Sequence, residues 1–180
     1  VFHKLAQLHQ GNANRVYLRE ALACYNQALL VYETDETRLP RAGVQHNKGL
    51  VLHDLAEFLE GPSKKGVLET ALTCFSEALT ISDRENDRLS CAREYSCKGN
   101  VLFDLAKITR GAEHKNYLDA VLHAYNAALD VYTPQLMPTD WAIVQNNKGN
   151  VFLSLAEQPG EEKWEEILRK GLTCCDQALT

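Results

Sequence analysis

Apolar residues recur along this chain at helical spacing, and the whole pattern returns every 50 residues. Val101, Leu102, Leu105, Ala106 and Ile108 stand at the i, i+4, i+7 spacing that predicts one buried helix stripe. Leu118, Val121, Leu122, Tyr125, Ala128 and Leu129 form a second. Moving by 50 aligns Val1, Val51, Val101 and Val151, then Leu5-Ala6, Leu55-Ala56, Leu105-Ala106 and Leu155-Ala156. It also aligns Leu18, Leu68, Leu118 and Leu168, and Ala28-Leu29 with Ala78-Leu79, Ala128-Leu129 and Ala178-Leu179. The pattern predicts helices over 1–9, 14–33, 38–59, 64–82, 88–109, 114–132, 138–157 and 162–180. No alternation of period two and no Asn-Gly hairpin signal a strand.

Local signals give boundaries. Pro40 and Pro138 stand at or before the opening of a first helix, with Thr139 or Asp140 as caps. Gly61-Pro62-Ser63 ends one helix and starts the next, with Ser63 as N-cap. Gly49, Gly99 and Gly149 recur inside first helices, where glycine costs about 1 kcal/mol relative to alanine. A compensating close approach of the paired helix is expected, with Ala28, Ala78, Ala128 and Ala178 as the matching small residues. One hairpin cannot bury its apolar face alone, so stacked neighbours must supply the core.

Composition narrows the function classes. The 180 residues carry 24 acidic and 19 basic side chains, net −5, which gives no support to nucleic-acid binding. No apolar run approaches the ~20 residues of a membrane span, and no membrane association is expected. Val1-Phe2-His3-Lys4-Leu5-Ala6 reads as the middle of a helix rather than a signal peptide, so the chain is expected to be a piece of a longer, cytoplasmic protein. Cys24, Cys74 and Cys174 share one repeat position with Ala124, which reads as a small buried packing site. No zinc-ligand spacing occurs, and neither metal nor cofactor is expected.

On these residues the chain resembles the tetratricopeptide repeat (TPR) family. Gly49-x2-Leu52, Gly99-x2-Leu102 and Gly149-x2-Phe152 supply the first-helix phrase. Ala21-x3-Tyr25-x2-Ala28 and Ala71-x3-Phe75-x2-Ala78 match the second helix, and Val121-x3-Tyr125-x2-Ala128 and Gly171-x3-Cys175-x2-Ala178 are weaker copies. The period of 50 exceeds the usual ~34 residues and resembles a long-repeat branch of large, mostly bacterial, signalling proteins. Lys48, Lys98 and Lys148 stand where the family has leucine, their methylenes able to lie on the core while the ammonium stays in water. The resemblance implies an all-α fold: a right-handed α-solenoid of stacked antiparallel helix pairs. It would form one domain over 1–180, in repeats 1–33 (partial), 34–83, 84–133 and 134–180.

In such a solenoid the first helices line the concave surface. The strip predicted there carries His46, Ser96 and Asn146 three residues before each glycine, and Asn100 and Asn150 just after it. His53, Asp54 and Asp104 extend it by a turn, along with Phe103, Leu153 and Ser154. Asparagine offers an acceptor and two donors, which suits holding a peptide backbone. The alternative is that these amides bond to neighbouring helices or to water. Asn47 and Asn147 point nearer the next repeat and read as structural. The lysine row could face an anionic segment. Asp54 with Asp104, and Cys97 with His46, are the only acid–base or nucleophile pairs worth naming, and repetition explains them more simply than catalysis. The expected role is a non-catalytic scaffold for a protein or peptide. Self-association through the repeat ends, and service as the regulatory arm of a peptidase or nucleotide-hydrolysing domain elsewhere, are the alternatives.

Overall fold

A computed structural model of the chain describes residues 12–32, 37–157 and 163–179. Seven helices run through them, with no strand among the described residues. They are α1 (Asn12–Val31), α2 (Arg38–Ala56), α3 (Gly61–Arg84), α4 (Arg88–Ile108), α5 (Gly111–Leu129), α6 (Pro138–Ala156) and α7 (Trp164–Leu179). The helix expected over 1–9 lies outside the described residues.

Helix existence follows the apolar periodicity, and the differences are at the ends. α3 and α5 start three residues earlier than expected, because Gly61 and Gly111 take left-handed φ values of +56° and +61° and turn the chain at once. Extended Glu60 and Arg110 are therefore the N-caps, and Ser63 lies inside the first turn. α2 stops at Ala56 and tightens into bonds from the Phe58 and Leu59 N–H groups to the Leu55 and Ala56 carbonyls, 3.1 and 3.2 Å. Thr139 and Asp140 do not cap either. Pro138 opens α6 after Met137, and Pro40 occupies the first turn of α2, where its missing N–H has no intrahelical acceptor to lose.

The helices gather into two compact units, the first ending at Ser90 and the second starting at Cys91, within the first turn of α4. In the first, Leu18 and Ala21 of α1 pack with Val51 and Leu55 of α2, flanked by Tyr17, Leu22, Tyr25 and Phe58. α2 and α3 run antiparallel: Arg38 reaches Glu85 at 3.3 Å, Gln45 meets Glu77, and Gly49 meets Phe75. In the second unit the core holds Ala92, Leu118, Val121, Tyr125, Ala128, Val144 and Val151, with Trp141 packed on its edge. Trp164 opens α7 with 49% of its surface exposed, so of the two tryptophans near helix starts Trp141 is the one packed on the core.

The repeated glycines have a partner other than the one expected. A Cβ on Gly49 would lie 2.7 Å from the Phe75 ring, one on Gly149 2.6 Å from Cys175 Sγ, and one on Gly99 would strike the Tyr125 ring. Gly49, Gly99 and Gly149 thus seat Phe75, Tyr125 and Cys175, not the alanine row. In the last pair the ring has shrunk to cysteine, and bulk moves to the opposite side. Phe152 replaces the leucine of positions 52 and 102, and its Cβ lies 3.2 Å from where Gly171 would carry one. The first helix thus returns part of the bulk that the second has lost.

The cysteine position divides. Cys74 and Cys174 are buried with Ala124, as expected, but Cys24 is exposed. The first-helix segment that the repeat would set against Cys24 falls in residues 1–11, outside those described.

Candidate functional site

The predicted strip lies on first helices throughout. In the first unit α2 carries His46, His53 and Asp54, all half-buried. The His46 ring meets Phe75 edge-on, with centroids 5.8 Å apart, and His53 and Asp54 each have interactions with neighbouring groups. In the second unit α4 carries Ser96, Asn100 and Asp104, one turn apart and half-buried, while α6 carries Asn146 and Asn150, both exposed. Asp104 accepts from Lys107 Nζ at 2.7 Å, and that ammonium also sits 4.5 Å from the Phe103 ring centroid.

One hydrogen-bond cluster joins three helices of the second unit. Buried Tyr125 on α5 donates its hydroxyl to Asn100 Oδ1 at 2.8 Å. Asn147 on α6 donates Nδ2 to the same oxygen at 3.1 Å. α4 and α6 are thereby held side by side; Asn147 bonds within the fold, but toward the preceding repeat and not the next one expected, and its equivalent Asn47 is exposed. Burial, then the Asp104 carboxylate, push the Tyr125 hydroxyl well above its usual range, so it stays a protonated donor.

The lysine row is half-buried in all three repeats. Burial lowers the Lys98 ammonium, while Lys48 and Lys148 lie close enough to buried Cys74 and Cys174 to oppose the rise that burial gives those thiols. This fits stems laid along the core. Burial and the Glu94 charge push Cys97 up to about 12, which leaves almost no thiolate at neutral pH.

Three features escaped the pattern reading. Glu94 is 1% exposed, where the equivalent positions hold Val44 and Val144; Arg93 donates to its Oε1 at 3.4 Å. Gln45 and Gln145, equivalent and buried, donate Nε2 to Glu77 and Gln177, and in both the Oε1 atom has no partner. The Asn100–Tyr125–Asn147 cluster is the third. Its signal was a joint change: the same three positions one repeat earlier read Leu50, Phe75 and Cys97. Among the described residues no group of His, Cys, Asp and Glu could hold a metal ion, and no helix is long and apolar enough to cross a membrane.

Compared with known proteins, the chain matches no family model, no curated protein and no solved structure.

Proposed function

We propose that this chain is a TPR-like right-handed α-solenoid acting in the cytoplasm as a non-catalytic scaffold, which binds a peptide or partner segment on the concave surface lined by its first helices. The observation that carries the reading is the Asn147–Asn100 bond, because it sets neighbouring first helices of the second unit side by side. Exposed Asn146 and Asn150 on α6, with half-buried Ser96, Asn100 and Asp104 on α4, would then line one strip. His46, His53 and Asp54 are the corresponding contacts on α2. The thrice-used seat of a first-helix glycine on the second helix supports the TPR-like pairing.

The test uses peptides selected from a random-sequence display library on the immobilised protein, then titrated in solution. Two neutral hydrogen bonds contribute about 1 kcal/mol each. Asn146→Ala with Asn150→Ala is therefore expected to weaken binding about ten-fold or more. Unchanged affinity would remove the strip from the interface.

A second reading, self-association, has its own observation. Leu172 on α7 is 64% exposed, whereas its equivalents Leu22, Leu72 and Leu122 are half-buried. Sedimentation across a concentration series separates the two: a constant 20.2 kDa species leaves the groove, and a growing one points to α7.

A further inference from the structure

Asn100 could present either face of its amide to a ligand, and the cluster around it decides which. A carbonyl oxygen has two lone pairs. Both on Asn100 Oδ1 are occupied, by the Tyr125 hydroxyl at 2.8 Å and by Asn147 Nδ2 at 3.1 Å. The reversed amide would aim Nδ2 at the phenol and break the 2.8 Å bond, and buried Tyr125, 1% exposed, would keep an acceptor only if the neighbouring Asn147 amide reversed as well. The phenol and Asn147 together therefore orient the amide. Nδ2, with its two protons, takes no part in either bond and belongs to a half-buried residue on the face of α4.

The repeats of α2 with α3 and of α6 with α7 lack this arrangement. Leu50 has no amide and faces a Phe75 without a hydroxyl, and Asn150 shares its pair with Cys175 instead of a tyrosine. Among the described residues, only the repeat of α4 and α5 couples the amide to a phenol, and it does so with Asn147 as the second donor. We propose that Tyr125, assisted by Asn147, is a positioning residue that fixes Asn100 as a one-way hydrogen-bond donor, so that this subsite takes an acceptor, either a main-chain carbonyl or a carboxylate. The inference rests on the peptide-surface reading for its ligand, but not for the orientation itself.

The orientation is tested first in the free protein, by hydrogen exchange of the side-chain amides followed by NMR. The Asn100 Nδ2 protons are expected to exchange as fast as those of exposed Asn146 and Asn150, with one Asn147 Nδ2 proton at least ten-fold slower. Tyr125→Phe restores the ring that the chain already uses at Phe75, so the fold is retained while the slow Asn147 proton speeds up. Slow exchange at Asn100, or no effect of Tyr125→Phe, overturns the positioning role whatever the protein binds. The acceptor half is tested by titrating N-methylacetamide and acetate and following the Asn100 amide signals. A response larger than at Asn146 and reduced at least two-fold by Tyr125→Phe is expected. N-methylacetamide alone would identify a main-chain carbonyl, acetate alone a carboxylate. The expected exchange pattern without a response to either probe overturns the acceptor subsite, and with it the groove reading at α4.

Discussion

Alanine at the helical glycines sets two opposing effects against each other, and their balance tests the packing described above. Within a helix, Gly→Ala gains about 1 kcal/mol wherever the methyl has room. Gly43 and Gly66 have that room, with nothing within 4 Å of a Cβ. At Gly49 the methyl would lie 2.7, 2.8 and 3.0 Å from three carbons of the Phe75 ring. Carbon contacts settle near 3.5–4.0 Å, so the ring must retreat by about 1 Å. Phe75 is fully buried and has no open side to retreat into. Overpacking of this kind costs about 1–3 kcal/mol. Set against the helical gain, Gly49→Ala should be destabilising by about 0–2 kcal/mol. Gly99→Ala must also displace the Tyr125 hydroxyl from Asn100, a further ~1 kcal/mol. Its net cost is about 1–3 kcal/mol, or a Tm roughly 2–12 °C lower for a chain of this size. Thermal melts followed by circular dichroism, with Gly43→Ala and Gly66→Ala alongside, give the order. The two open sites should rise, Gly49→Ala should be flat or fall, and Gly99→Ala should fall most. If Gly99→Ala stabilises as much as Gly66→Ala, the ring does not sit where the structure has it.

Gln145→Met removes a buried oxygen that has no partner and leaves exposed Gln177 to water, so a gain of about 1 kcal/mol in urea unfolding is expected; a loss would mean that a water holds that oxygen. Cys97, raised from 9.0 to about 12, stays protonated in the native state after the unfolded thiol has ionised. The stability it contributes is therefore complete below pH 9 and lost between pH 9 and about 12, and Tyr132, raised from 10.0 to about 12, acts in the same direction. The urea midpoint should fall over that window, and Cys97→Ala should make the fall shallower; an unchanged slope would remove Cys97 as a cause.

The helices and their recurrence every 50 residues were legible in the sequence, because a 3.6-residue period and a 50-residue self-similarity are properties of spacing alone. Leu18, Leu68 and Leu118 are fully buried, and so are Val51, Val101 and Val151, as the periodicity requires. Spacing could show that Gly49, Gly99 and Gly149 must meet something closely, but not what. Two helices laid together choose which rows interlock, and they chose the row of Phe75, Tyr125 and Cys175 over the alanines. The helix starts at Gly61 and Gly111 were decided in the same way by backbone geometry, since a left-handed glycine turns the chain before any capping side chain is needed. Asn100 shows the limit most plainly. Its sequence position placed it on the first-helix strip, but only the meeting of α4, α5 and α6 fixes which end of its amide is spent within the fold and which is left to donate.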